Sequence, residues 1–311
     1  MNIKELMEMF QGSLYKLNNK QIFMKMLDFG SSLIALDTLN RFLVLLQNSE
    51  ATDVRSENCW SICNKKLKAR VNPLYILCPR FKQGYTDKSS QEAIDKASIS
   101  QEELNTAFEL GIVEKTEDIA EMNIVALFDV SDTEENTEHS LSKPIVTVPE
   151  VFRAIREVTG CSLHRVDNEK AEGWTEDYEM LKIYGKKAEE LLPSISRVLA
   201  KYIVDNNGIR DDMDEWEADL IESGIEYAFA TLFGTDEKHI KFNMLESIDG
   251  EQAFRIIETI NNLMTPFIGH LKYSENGFRP MEIREIDKLN RAGSMLGNLR
   301  AFEIRRALGL N

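Results

Sequence analysis

The 311-residue sequence lacks several features that would point to particular protein classes. It has no run of 18 or more apolar residues, which argues against a membrane-spanning helix. Its N-terminus, MNIKELMEMF, has acidic residues and no apolar run ahead of a cleavage site, so we expect no secretory signal. Only four cysteines occur, Cys59, Cys63, Cys78 and Cys161, and we expect free thiols in a cytoplasmic protein.

Common catalytic motifs are also missing. There is no G-x-x-x-x-G-K-[ST] phosphate loop and no G-x-S-x-G nucleophile motif. Cys59, Cys63 and Cys78 lack a nearby fourth ligand, so we interpret them as small residues packed around a strand. The acidic run at 211–217 could attract a divalent ion, but it is more typical of a helix start. No two histidines stand four residues apart; they are His139, His164, His239 and His270.

Charge is distributed unevenly along the chain. The formal net charge is −15, which by itself disfavours a nucleic-acid partner. Residues 1–88, however, hold 13 Lys and Arg against 8 Asp and Glu, a net of +5, while the remainder has a net of −20. Such asymmetry suggests an electrostatic binding module beside an acidic part. The basic residues cluster at Lys65, Lys66, Lys68, Arg70, Arg80 and Lys82.

Hydrophobic patterns predict an α+β protein. Amphipathic helical patterns over 3–29 and a strongly apolar stretch over 33–48 are separated by a predicted break at Gly30-Ser31-Ser32. Short apolar runs predict strands over 71–79, ended by Pro79, and over 124–130. A polar insertion or exposed helix is expected at about 84–118, and a linker from Ser131 to Lys143. Further helices are predicted at 151–159, 186–205, 214–233, 250–272 and 281–307, with Gly160 and Gly234 as C-caps.

Several N-terminal motifs, taken in order, resemble one protein family. NRFLVLLQ at 40–47 is followed by ATDV at 51–54, by Trp60, by the basic cluster and then by the strand ending in Pro79. FDVSDT at 128–133 follows further on. This order resembles the N-terminal domain of the ArdC-type antirestriction proteins, which has an N-x-x-L-[IV]-x-x-Q helix, an A-T-x-V turn and an F-D-V-S-Q-T element. Asp132 stands where that family has glutamine.

The resemblance implies a domain that binds single-stranded DNA. Lysine and arginine follow a phosphate backbone, and exposed aromatics such as Tyr75 or Phe81 could stack on bases. Two alternatives stay open: Trp60, Tyr75 and Phe42 could belong to the core, and the basic run could be an ordinary solvated face. The candidate nucleic-acid-binding residues are Asn40, Gln47, Trp60, Lys65, Lys66, Lys68, Arg70, Tyr75, Arg80 and Lys82.

Members of that family continue into a zincin-like peptidase domain with H-E-x-x-H on a helix. The two histidines of this motif hold zinc, and its glutamate activates water. In this chain the positions that correspond to H-E-x-x-H lie in the stretch SRVLAKY at 196–202. Arg197 and Lys201 stand in place of the two histidines, and Val198 stands in place of the glutamate. Near the place of the third ligand, Ile221 lies in register, with Glu222 beside it and Glu217 upstream. Two cations would repel zinc, so we expect no metal, no cofactor and no catalytic residues.

These observations predict two domains. Residues 1–143 would form a small α+β nucleic-acid-binding domain, and residues 144–311 a mainly helical, degenerate metallopeptidase-like domain. The resulting hypothesis is a non-catalytic single-stranded-DNA-binding protein of a phage or mobile element, acting against host defence by occupancy. The expected partners are single-stranded DNA and a host defence protein, with no membrane. The alternatives are a zinc peptidase with unrecognised ligands and a protein–protein interaction module that inhibits a host factor.

Overall fold

The computed structural model describes residues 1–33, 36–87, 113–134, 147–236 and 238–273, with the backbone alone over 31–32, 79–87, 113–121 and 272–273. Short 3₁₀ turns occur at Leu14–Asn18, Val130–Asp132, Glu169–Ala171 and Leu245–Ser247. The strands are β1 (Val54–Arg55), β2 (Leu74–Asp87), β3 (Val113–Asp129), β4 (Ser162–Val166), β5 (Gly173–Trp174) and β6 (Met180–Tyr184). The helices are α1 (Ile3–Gln11), α2 (Lys20–Ser32), α3 (Thr38–Gln47), α4 (Glu57–Ile62), α5 (Val148–Thr159), α6 (Ala188–Asn206), α7 (Ile209–Asp212), α8 (Glu215–Phe233) and α9 (Gly250–Tyr273).

Two small sheets and a majority of helix make this an α+β fold, as the sequence predicts. The first sheet has the antiparallel order β1-β3-β2 and lies among the N-terminal helices. The second has the order β4-β6-β5, with β4 parallel and β5 antiparallel to β6. Among the described helices, none combines the length and the apolar character that a membrane span requires.

Helix boundaries follow local capping chemistry. Asn2 and Glu5 form a capping box at the start of α1, and the Asp37 carboxylate accepts a hydrogen bond from the Asn40 amide at the start of α3. Gly160 and Gly234 end α5 and α8 in the left-handed conformation, at φ of 75° and 69°. Both C-caps predicted from the sequence are therefore confirmed.

The predicted helix break at Gly30-Ser31-Ser32 is wrong, because α2 continues to Ser32. Gly30 serves close packing instead of ending the helix. A Cβ atom built on it would lie 2.2 Å from Oδ1 of Asn261 on α9, so only glycine allows the two helices to approach this closely.

The prediction that Pro79 ends its strand is also wrong. β2 continues to Asp87, and Pro79 pairs with Met122 of β3. The amides of Tyr75 and Leu77 point away from β3, toward α3. Because backbone amides of alternate residues point to the same side of a strand, an amide at position 79 would also point away from β3. Proline, which has no amide hydrogen, therefore costs the β2–β3 ladder no hydrogen bond.

The polar segment expected at about 84–118 is strand at both of its described ends, 84–87 and 113–118. Residues 88–112, most of the predicted linker (135–143) and the last predicted helix (281–307) lie outside the described residues.

One hydrophobic core joins the N-terminal helices to the C-terminal helices. The Phe10 ring of α1 lies edge-on to Phe254 of α9, with centroids 5.3 Å apart. The Tyr227 hydroxyl of α8 lies 3.1 Å from Oδ1 of Asp28 on α2. The first 50 residues therefore pack on the second half of the chain, and the predicted domain boundary at residue 143 stays a prediction.

A polar cluster interrupts this core where α9 meets the start of α3. Asn261 of α9 donates a hydrogen bond to the Thr38 hydroxyl over 3.2 Å, and both side chains are buried. Burial and the nearby charge of Asp37 raise the pKa of Glu258 to about 7. Burial also raises the pKa of Asp37 itself. Two half-buried carboxyl groups thus lie close enough for the charge of one to affect the pKa of the other.

Candidate nucleic-acid interface

The predicted site residues Asn40 and Gln47 lie inside the fold. They stand two helical turns apart on α3 and face the outer edge of β2. The Asn40 amide donates to the Leu77 carbonyl over 2.8 Å and accepts from the Leu77 amide over 2.9 Å. Gln47 makes the same pair of bonds with Tyr75, at 2.8 and 2.9 Å. Two side-chain amides thereby take the place of a neighbouring strand.

This arrangement removes Asn40 from reach of a ligand, since its side chain is 3% exposed and fully engaged. Asp37 accepts a further bond from the Asn40 amide over 2.8 Å. The arrangement also provides hydrogen-bond partners for amides and carbonyls at the edge of β2, which would otherwise be free to pair with another chain. The N-x-x-L-x-x-x-Q spacing therefore has a structural role: it places two amides on one face of α3 at the height of alternate β2 residues.

Trp60, on α4, is 1% exposed, and its indole N–H donates to the Phe128 carbonyl over 2.9 Å. Two cations lie over its ring. The Arg55 guanidinium carbon is 5.0 Å and the Lys65 ammonium 5.5 Å from the ring centroid. Trp60 therefore lies in the core, which was one of the two alternatives that the sequence left open. Its ring packs against Arg55 and Lys65 and is not exposed for stacking with a base.

Arg55 is held in place by its own contacts. Its guanidinium forms two hydrogen bonds of 2.9 Å with Asp53, and one of 3.2 Å with the Cys63 sulfur. Lys65, by contrast, is half-buried, and its backbone amide is fixed by the Trp60 carbonyl over 2.9 Å.

The basic segment 65–70 is pinned along its backbone by residues 131–134. The Lys68 amide donates to the Asp132 carbonyl, and the Glu134 amide donates to the Lys66 carbonyl, each over 2.8 Å. The Lys68 ammonium also donates to the Ser131 carbonyl over 2.7 Å. The basic run and the FDVSDT element, 60 residues apart in sequence, thus form one surface.

Asp129 connects this surface to the ATDV turn. It is buried, and its carboxylate accepts hydrogen bonds from the amides of Thr52, Asp53 and Ser131, at 2.7, 3.2 and 2.9 Å. The motifs that carry the family resemblance are therefore neighbours in space.

Lys66, Lys68 and Arg70 are exposed, and within the described part of the chain neither Lys66 nor Arg70 has an ion pair. We name the group Lys65, Lys66, Lys68 and Arg70 the basic surface. The carboxylates of Asp132 and Glu134 lie on the segment that pins it, so its charge is mixed. Asp132 turns its carboxylate to the Asp129 amide, over 3.1 Å.

The remaining candidates lie on β2. Tyr75 is half-buried against the core, and its backbone is engaged by Gln47. Arg80 and Lys82 lie further along the strand, opposite Glu121 and Asp118 of β3, and only their backbone is described. Their side chains, and that of Phe81, lie outside the described part, so their role stays a prediction.

The SRVLAKY stretch lies in the middle of α6, where Arg197 forms a strong ion pair. Its Nε and Nη2 atoms donate to the Glu172 carboxylate at 2.9 to 3.0 Å, and Nη2 lies 3.0 Å from Glu169. The exposed Lys201 is one turn further along, and Val198 is buried between them. Within the described ranges, no group of three or more His, Cys, Asp or Glu side chains is placed to hold a metal ion.

The acidic residues near the expected third ligand are also engaged. Glu222 on α8 pairs with Arg210, which contacts Asp205 and Asp219 as well. Burial raises the pKa of Glu222, although the charges of Arg210 and Lys201 oppose this. The acidic run at 211–217 spans the end of α7 and the start of α8, as predicted, with Glu215 and Glu217 in the first turn of α8.

Sequence reasoning missed Arg55, Asp129, Glu172 and Trp174. Arg55 immediately precedes the Ser56 N-cap of α4, and this i, i+5 spacing to Trp60 was the available signal. Nothing in the sequence links Glu172 to Arg197, because the contact spans 25 residues through a 3₁₀ turn and two short strands.

No protein-family model and no curated protein matches the chain. Among solved structures, it is similar to the crystal structure of the metal-free antirestriction ArdC protein from the R388 plasmid, at 9% sequence identity. The match covers 83% of this chain and 84% of that one, with a TM-score of 0.37.

Proposed function

We propose that this protein binds single-stranded DNA through its basic surface, without catalysis, in the cytoplasm of a host cell. It would act for a phage or mobile element, shielding DNA from a host defence system by occupancy. The observation that carries this proposal is the basic surface itself: four cationic residues on one short segment, which residues 131–134 hold through the backbone of Lys66 and Lys68.

A fixed row of cations suits a phosphate backbone, because binding releases condensed counterions and costs little ordering of the protein. Lys65 gains further support from the Trp60 ring beneath it. Since that ring is buried, we propose that phosphate contacts dominate and that sequence preference is weak. The preference for a single strand rests on the family resemblance, with the half-buried Tyr75 of β2 as the candidate stacking residue.

The absence of catalysis is proposed from the side chains at the degenerate motif. Arg197 is committed to Glu172, and neither it nor Lys201 is a zinc ligand at neutral pH. The part of the chain beyond residue 88 has a net charge of −20, and we propose that it can contact a host defence protein.

Replacing Lys66, Lys68 and Arg70 with glutamine should lower the affinity for a fluorescent oligothymidine at least tenfold at about 50 mM salt, because three phosphate contacts are lost. Because these residues are exposed, we expect the variant to stay folded, so that a loss of affinity reports on binding. Fluorescence anisotropy measures the affinity, and a circular dichroism melt checks the fold.

The matched control replaces three exposed lysines outside the basic surface, Lys187, Lys238 and Lys241, with glutamine. It removes the same charge and should bind like the wild type. If both triple variants lose affinity equally, binding follows net charge alone and the basic surface is not the site. If neither loses affinity, or the wild type does not bind, the protein–protein interaction alternative takes precedence.

A further inference from the structure

A pocket opens at the SRVLAKY stretch, where α6 passes the 3₁₀ turn Glu169–Ala171 and β5. Its volume is about 250 Å³. This is slightly below the ~300–1,000 Å³ of typical drug-sized ligand sites, so the pocket suits a small molecule. The lining residues are Glu172, Gly173, Trp174, Arg197, Val198 and Lys201.

Most of the exposed lining is apolar, but three of the lining side chains carry unused hydrogen-bond donors. Glu172 occupies Nε and Nη2 of Arg197, which leaves Nη1 without an acceptor among the described residues. The Lys201 ammonium and the Trp174 indole N–H likewise have no acceptor in the described ranges. Three of the side chains that line the pocket therefore have donor groups without an acceptor among the described residues.

The acceptors of the pocket, in contrast, are already used. Glu172 is the one lining carboxylate, its side chain is 10% exposed, and both of its oxygens accept from Arg197. Glu169, the second partner of Arg197, is 67% exposed and can be displaced at low cost. With Arg197 and Lys201 against Glu172, the lining has a net charge of +1 and favours an anion.

The remaining lining surface is apolar. Val198 contributes a branched aliphatic side chain, and the Trp174 ring is held in place by Tyr178 and Tyr202, with centroids 6.2 and 6.1 Å away. A fixed indole beside a cationic donor set favours a ligand that joins an anionic group to an aromatic ring.

We propose that this pocket binds a small aromatic phosphate monoester, with the phosphate oxygens accepting from Arg197 and Lys201 and the ring lying against Trp174. A phosphate monoester offers three terminal oxygens and a charge of about −1.5 to −2, so it can accept from both the Arg197 guanidinium and the Lys201 ammonium more fully than a carboxylate can. The pocket and the basic surface have no residue in common, so this inference stands apart from the proposed DNA binding.

Calorimetric titration of the full-length protein with thymidine 5′-monophosphate tests the proposal. We expect saturable binding that thymidine, without the phosphate, fails to reproduce. Lys201→Gln should weaken binding about tenfold, since one charge-assisted hydrogen bond is lost. Trp174→Phe, which leaves a smaller aromatic ring for the ligand to lie against, should weaken it by a smaller factor.

Two controls separate the pocket from other sites. Lys238→Gln, an exposed lysine outside the pocket, and the triple variant of the basic surface should both bind the monophosphate like the wild type. The proposal is overturned if no binding occurs up to millimolar concentration, if thymidine binds equally well, or if Lys201→Gln has no effect in a folded protein.

Discussion

Asn40→Ala should destabilise the protein by about 3 to 4 kcal/mol and leave the DNA affinity of the folded fraction unchanged. The truncation removes both partners of Leu77, whose amide and carbonyl are buried at the edge of β2. An unsatisfied buried polar group costs about 1 to 3 kcal/mol, and two are created here. Urea denaturation monitored by circular dichroism measures the change in the free energy of unfolding.

Gln47→Ala provides the matched comparison. Gln47 makes the same pair of bonds with Tyr75, but both residues are half-exposed, so water can replace the lost partners. We expect a loss of only about 1 kcal/mol. If Asn40→Ala instead lowered DNA affinity without loss of stability, Asn40 would contact the ligand, as the family resemblance first suggested, and the structural role assigned here would be wrong.

Glu258→Gln should stabilise the protein at pH 8, by about 2 kcal/mol, and change little below pH 4.5. The folded-state pKa of Glu258, about 7, lies above the ordinary value of 4.5. The folded protein therefore holds a proton that the unfolded chain has released, and the wild type loses stability as pH rises from 4.5 to 7. The shift corresponds to about 3 kcal/mol, which is reduced here because part of the carboxylate meets solvent.

The measurement is the free energy of unfolding at pH 5 and pH 8 for the wild type and the variant. The control is Glu176→Gln, at an exposed position in the loop before β6, which should leave the pH profile unchanged. If the free energy of unfolding changed equally between pH 5 and pH 8 in the wild type and in Glu258→Gln, the polar cluster between α3 and α9 would not set the pH dependence of stability.

Periodicity and punctuation residues predicted the helices well, because these signals are local. Gly160 and Gly234 end helices as expected, and the patterns over 214–233 and 250–272 match α8 and α9 closely. Gly30 and Pro79 misled the prediction for the same reason in both cases. Their local preferences are overruled by tertiary context, the approach of Asn261 in one case and the direction of the strand amides in the other.

The candidate site was predictable in its charges and not in its geometry. Lys66, Lys68 and Arg70 are exposed, as a basic run suggests, but the residues that fix them come from 131–134. Asn40 and Gln47 were predicted to bind nucleic acid; the structure shows that both hydrogen-bond to the edge of β2, and their contact with DNA stays a prediction. A pattern shows that two amides share a helix face; only the fold shows that β2 lies opposite them.

The central claim is that a pinned row of cations binds single-stranded DNA through its phosphates. The most direct test is the affinity of the wild-type protein for oligothymidine and for a duplex of equal length, across about 50 to 200 mM salt. We predict tighter binding of the single strand, with log K falling linearly against log salt at a slope of about −2 to −3, as expected for three to four neutralised phosphates. Binding that is absent at 50 mM, insensitive to salt or equal for the duplex would contradict the claim.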